Sequence, residues 1–448
     1  MLGRHKEVLE IKHDKSFILC DILISFFQTH IMLEGPTFLV SRDLPSACEQ
    51  ESKWTYNAFC VTSLSKKKTS KTSEGTFVIS HSEPNKSNTK KQQDANNHSD
   101  STSLINQIGL DLTINCLLHS SRSDYGSIAS LNRKFRTLIR NGELYKLRRK
   151  MGITEHWVYF SCNLFKWEAF DPIRHRWMRL PTMDCNECFM CSDKESLAVG
   201  TELLVFGKEI DTHVVYKYSI LTNSWSPGIK TTTPRCLFAS ASLNEIAIVA
   251  GGCSPSGKIL NSAELYNSEI GTWVSLNSMN KRRKMCSGVF MDSKFYVIGG
   301  IDENFNELTC GEVYDFETRV WTVIPGMFPV AAGKDAPAMS KAPPLVAVVK
   351  DELYAGFYEE QEVRRYDKRR NVWVRVAGLP EKASSMNGWG LAFRACGDEL
   401  IVIGGPRAAY GGMIELNSWR PDENPPEWNL LARKHSSGFV YNCAVMGC

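Results

Sequence analysis

Residues 246–252 read Ile-Ala-Ile-Val-Ala-Gly-Gly, and residues 263–276 read Ala-Glu-Leu-Tyr-Asn-Ser-Glu-Ile-Gly-Thr-Trp-Val-Ser-Leu. The order is an apolar run ending in glycine, then an aromatic, then a tryptophan seven positions further on, and it recurs along the chain. Trp177, Trp225, Trp273 and Trp321 fall 48 positions apart, Trp373 follows after 52 and Trp428 after 55. Phe170, Tyr218, Tyr266, Tyr314 and Tyr366 stand seven positions before the first five. Apolar runs ending in glycine lie at 203–207, 246–252, 295–300, 353–356 and 400–405. A period near fifty with several short strands per unit predicts a β-propeller, one blade per repeat.

Each repeat divides into four strands, a to d. In the third unit these are expected at 237–243, 245–250, 263–267 and 272–276, with tight polar turns between a and b and between c and d. Six blades result. The first has strands b, c and d near 157–162, 167–171 and 176–180 but no strand a before them. The alternating run 438–446 is predicted to supply that inner strand and close the ring, so removing an exposed edge. The long connections all follow strand b (253–262, 301–310, 406–413) or strand d (325–343), which puts them on one face of the ring. Binding residues concentrate on such loops over a rigid scaffold. Arg235 and the run Lys281, Arg282, Arg283 and Lys284 fall on this face and would suit an acidic or phosphorylated peptide; solvated loop charge is the other reading.

Ahead of the repeats, residues 104–151 change character. Leu112, Ile114, Leu117 and Leu118 form one apolar cluster. Asp124 is placed to cap a second helix carrying Ile128, Leu131, Phe135, Leu138 and Ile139 at helical spacing. A third helix is expected from Glu143 to Met151, with a basic end that suits its dipole. Leu110-Asp111-Leu112, the Leu117-Leu118 pair, Ser123-Asp124-Tyr125 and Leu131-Asn132-Arg133-Lys134-Phe135-Arg136-Thr137-Leu138-Ile139 resemble an F-box. Ile108-Gly109 stand where that motif usually opens with Leu-Pro. Together with the Gly-Gly, aromatic, Trp order of the propeller, which resembles kelch repeats, residues 104–448 are similar to the plant F-box/kelch-repeat family.

The resemblance implies a substrate-recognition subunit of a Skp-cullin-F-box type ubiquitin ligase. The F-box would dock a Skp-type adaptor, and through it a cullin–RING ligase, by way of Leu110, Leu112, Ile114, Leu117, Leu118, Ile128, Leu131, Phe135 and Leu138. The propeller would hold a target protein that the sequence does not name. The alternatives are a kelch scaffold outside ubiquitination, with a degenerate F-box, and a helical collar that only packs under the propeller. The expected fold is thus mostly β: a disordered segment at 1–103, the helical unit at 104–151, and a six-bladed propeller at 157–448 closed by its last strand.

Composition narrows the remaining choices. Residues 63–103 are rich in Lys, Ser, Thr, Asn and Gln and bury too little to offset ordering entropy. Lys66, Lys67 and Lys68 read as a solvated linker run or as a nuclear-import patch, and Met32 opens a more conventional N-terminal segment than residues 1–31. A net charge of +4 in 448 residues argues against a dedicated nucleic-acid binder. The apolar stretch 17–33 is interrupted by Asp21, Gln28 and His30, so no membrane span is expected. Fifteen scattered cysteines point to reduced thiols in the nucleus or cytoplasm. Cys185, Cys188 and Cys191 have ligand-like spacing but lack a fourth ligand nearby, so neither metal nor cofactor is expected. No nucleophile elbow, phosphate loop or His-Glu-x-x-His occurs, and none of the ten histidines recurs at matching blade positions. A non-catalytic role follows.

Overall fold

The computed structural model describes residues 109–448 apart from 164–165, 193, 210–211, 330–340, 382, 384, 386, 406–411 and 437. The expected disordered segment, the 66–68 lysine run and Ile108 lie outside the described residues.

Six antiparallel four-stranded sheets make the blades. Blade 3 is representative: Ala239–Leu243, Ile246–Ala250, Ala263–Asn267 and Thr272–Leu276 run from the centre outward. Its strand b, Ile-Ala-Ile-Val-Ala, is buried on both faces because each sheet is packed between two neighbours, whereas strand d is mostly exposed. Among the described residues, the apolar clusters of the propeller are therefore shared across blade boundaries. Ile248, Ala250 and Met279 of one blade, for example, pack with Phe295, Val297 and Trp321 of the next. The inner strands of all six blades touch in a closed ring.

Local chemistry sets each hairpin. The a–b turns Asp292-Ser293 and Lys350-Asp351 have both central residues at positive φ (51° and 56°, 50° and 58°), the geometry that matches strand twist. At the other end of strand b, Gly251 and Gly252 have φ of 68° and 89°, and a Cβ on Gly252 would lie 2.5 Å from the Cys236 carbonyl. Strand c and strand d are pinned by the repeating aromatics. Tyr218 faces Trp225, Tyr266 faces Trp273, Tyr314 faces Trp321 and Tyr366 faces Trp373, with ring centroids 4.9–5.4 Å apart. The indole N–H of each tryptophan then reaches the preceding blade's exit loop. Trp225 donates to the Pro181 carbonyl at 2.8 Å, Trp273 to Ile229 at 2.9 Å, Trp321 to Asn277 at 2.7 Å and Trp373 to Met327 at 2.8 Å. The tryptophans are ties between blades as well as packing.

Ring closure occurs as the sequence predicts, a few residues later than expected. Asn442–Gly447 is the innermost strand of blade 1 and pairs antiparallel with His156–Asn163, Trp157 opposite Met446 and Phe160 opposite Cys443.

Among the described residues the helical unit has four helices rather than three: α1 (Leu110–His119), α2 (Arg122–Leu131), α3 (Arg133–Arg140) and α4 (Glu143–Lys150). The second expected helix is split because Asn132 is extended (φ −160°, ψ 170°), and its side-chain oxygen caps α3 by accepting from the Phe135 N–H at 2.9 Å. The cap of α2 is Ser121, not Asp124.

Candidate functional site

Two faces of the ring differ in what covers them. On the side of the a–b and c–d turns, the helical unit packs beneath blades 1 to 3. Arg149 of α4 pairs with Glu245 in the a–b turn of blade 3, and Lys146 approaches Glu269 in that blade's c–d turn at 3.6 Å. Arg176, at the c–d turn of blade 1, lies 3.3 Å from Asp124 of α2.

Glu155, just before the first strand, gathers the joint. Its carboxylate accepts from the Arg122 backbone N–H at 3.0 Å and pairs with the Arg148 guanidinium at 3.1 Å. Arg148 is buried and also donates to the Leu118 and Ser120 carbonyls at the end of α1 and to the Tyr125 hydroxyl. Arg122 lies over the Trp157 ring at 4.7 Å and donates to the Tyr159 hydroxyl and the Cys448 sulfur. Two buried guanidiniums therefore bind the helices to the first blade, a fixed geometry instead of a tether.

The nine apolar positions expected to face an adaptor separate into three groups. Leu117, Leu118, Ile128 and Phe135 are buried and hold α1 to α3 together, so a partner cannot reach them directly. Ile114 and Leu138 are half-buried. Leu110, Leu112 and Leu131 are 51 %, 49 % and 42 % exposed, and they are the members available for contact. Beside them α3 carries Arg133, Arg136 and Arg140, all exposed and at i, i+3, i+7 spacing, a basic stripe on one side of the helix.

The opposite face carries the loops 253–262 and 301–310, while 330–340 and 406–411 of the other two expected loops lie outside the described residues; on this face the expected basic cluster requires correction. Arg235 and Arg283 do not face solvent. Each is fully buried and paired with a carboxylate of its own blade's strand c, Arg235 with Glu264 at 2.6 Å and Arg283 with Glu312 at 2.7 Å. Arg235 also donates to the Gly251 and Ser262 carbonyls, and Arg283 to those of Gly299 and Cys310. The carboxylates complete the clamp by accepting from backbone N–H groups of the entering loop, Thr232 and Thr233 in one blade, Asn280 and Lys281 in the next. Lys284 is also buried, its ammonium 5.4 Å from the Phe305 ring centre. Only Lys281 and Arg282 stay exposed, and Arg282 pairs with Glu303. The signal that separates frame from surface was in the sequence: both Arg235/Arg283 and Glu264/Glu312 recur at the 48-residue period.

Between blades 4 and 5 the same face opens a cavity of about 90 Å³ that sequence reasoning missed. Ile301, Phe328, Pro344, Phe357 and Tyr358 form its apolar wall, with the Glu307–Lys341 pair at its rim. It arises where loops from two blades meet, and no local motif marks it. Among the described residues no cluster of three metal-ligating side chains occurs, and no helix is long and apolar enough to cross a membrane.

The Kelch motif matches residues 234–280 and 282–328, which are blades 3 and 4 with their entering loops. An Arabidopsis thaliana F-box/kelch-repeat protein is 56% identical over 93% of this chain and 100% of its own length. A second from the same plant is 60% identical over 80% of this chain and 86% of its own. The Arabidopsis F-box/kelch-repeat protein SKIP11 is 61% identical over 78% of this chain and 76% of its own. With blades, ties and ring closure on one side and identity of this extent on the other, the chain belongs to the F-box/kelch-repeat family.

Proposed function

We propose that this protein is the substrate-recognition subunit of a Skp-cullin-F-box type ubiquitin ligase: α1 to α3 dock a Skp-type adaptor and the long-loop face of the propeller holds the target. The observation that carries the reading is the opposed placement of the two surfaces. The helical unit occupies the turn face, and its exposed leucines and basic stripe are turned to solvent. The long-loop face, with the cavity between blades 4 and 5, lies on the other side of the ring. A rigid joint at Glu155 between the two would set the orientation of a bound target relative to the adaptor, and orientation with raised local concentration is what a receptor subunit contributes.

Adaptor capture by the full chain tests this. Leu112→Asp puts a charge on an exposed apolar position and is expected to abolish capture while leaving the thermal midpoint unchanged. Leu117→Asp is a poor test, because Leu117 is 2 % exposed and its loss would unfold the unit. An intact chain that fails to retain a Skp-type adaptor would sink the proposal.

A further inference from the structure

Cys236 lies in the loop entering blade 3, and Cys253 begins that blade's long loop after strand b. Their sulfurs are 3.3 Å apart. The two residues exchange both backbone hydrogen bonds, Cys236 N–H to the Cys253 carbonyl at 3.0 Å and Cys253 N–H to the Cys236 carbonyl at 2.8 Å. In such a hydrogen-bonded antiparallel pair the Cα atoms are about 5.5 Å apart, inside the range of about 4.4–6.8 Å that a disulfide spans. Gly252, tight against the Cys236 carbonyl, fixes the register between them. The fold does not require sulfur here. One repeat later the same bridge is made by Lys284 and Ile301, each 48 positions on.

The surroundings favour reaction. Cys253 is lowered to about 7 because the Cys236 thiol donates to its sulfur; burial opposes this, and nearby Lys284 assists. Other buried cysteines move the other way. Burial pushes Cys286 up to about 12 and Cys443 up to about 11, which keeps them protonated and inert. Cys253 is itself buried, but its sulfur lies directly behind that of the half-buried Cys236, so a small oxidant reaches it past Cys236.

We infer that Cys236 and Cys253 form a reversible dithiol–disulfide pair, oxidised by a hydroperoxide such as hydrogen peroxide. The Cys253 thiolate attacks one peroxide oxygen and the O–O bond breaks, leaving a sulfenic acid and releasing hydroxide. The Cys236 thiol then attacks the sulfenic sulfur. The S–S bond forms, the S–O bond breaks, and hydroxide leaves with the thiol proton as water. In balance, two thiols and one peroxide give one disulfide and two waters. The bond ties the entering loop of blade 3 to its long loop, on the face proposed to hold the target. Disulfides of this kind in reducing compartments are transient and sensing, not structural.

The test uses the full chain treated with hydrogen peroxide, alkylated, and digested without reduction. A peptide joining Cys236 to Cys253, short of two hydrogens and restored by dithiothreitol, is expected before the exposed Cys188 is modified. In Cys236→Ser the intermediate has no resolving thiol, so a dimedone-type reagent should trap sulfenic acid at Cys253. Absence of the 236–253 peptide in the unsubstituted chain, or modification of Cys188 ahead of the pair, overturns the inference.

Discussion

Arg283 shows how much depends on where a charge is seated. Its guanidinium has left water and is matched by Glu312 and two carbonyls, so replacing it with Met leaves a buried carboxylate without its cation. Breaking such a pair from one side costs about 3–5 kcal/mol. Its neighbour Arg282, paired with Glu303 in solvent, should cost less than about 1 kcal/mol when changed to Ala. Denaturant midpoints of Arg283→Met and Arg282→Ala, measured together, check the contrast; equal effects would contradict it. From sequence alone, four consecutive basic residues read as one patch, because arginine is mostly exposed by default. The division of the run into two exposed and two buried residues, and the carboxylate about thirty residues away, become visible only when repeats are superposed. His156, at the seam where the ring closes, gives a pH test. Burial lowers its pKa below the ordinary 6.5, and the nearby Arg122 charge adds to this. The unfolded chain thus binds a proton more readily than the folded one below that value, so stability is intact above it and falls as the pH drops through the folded pKa. The urea midpoint should be lower at pH 5 than at pH 7.5, and His156→Gln should flatten that difference. His213, also lowered by burial, will leave part of the slope in place.

At the scale of elements, the strands were legible because the frame repeats its chemistry. Strand b is apolar on both faces, the turn after strand a is short and polar, and tyrosine and tryptophan mark strands c and d. Those features are local in sequence and recur, so each repeat checks the next. The helices were less so. Asn132 sits inside a continuous helical pattern of apolar residues, and only its extended backbone and its bond to Phe135 show that it ends one helix and starts another. The cavity between blades 4 and 5 was illegible for a third reason, since its walls come from segments far apart in the chain. Closure by Asn442–Gly447 was read from an alternating run without another partner, and it carries a clear expectation. Removing residues 438–448 strips the inner strand from blade 1 and exposes the edge of His156–Asn163, along with the core that Val158 and Phe160 share with Cys443. Calorimetry should then show loss of the cooperative transition of the whole ring. A truncated chain melting like the full one would mean that blade 1 does not depend on its last strand.

For the molecule as a whole, the joint at Glu155 decides whether the helical unit and the propeller behave as one body. Glu155→Gln keeps the shape but removes the charge that Arg148 and the start of α2 share, at a cost of about 3 kcal/mol to that contact. Hydrogen exchange should then quicken across 110–150 while the strands of blades 3 to 5 keep their protection; uniform loosening would show that the joint is not separable from the ring. The order of the strands has one more consequence, for the chain while it is being made. Strand His156–Asn163 leaves the ribosome roughly 280 residues before the strand that completes its blade. At synthesis rates of about 5–20 residues per second, that is tens of seconds. Throughout that time the nascent propeller presents an open β-edge at one end and a growing one at the other. Vectorial synthesis therefore cannot finish this fold blade by blade: the ring is a late event, and a chaperone that shields the first blade's edge has a defined interval in which to act.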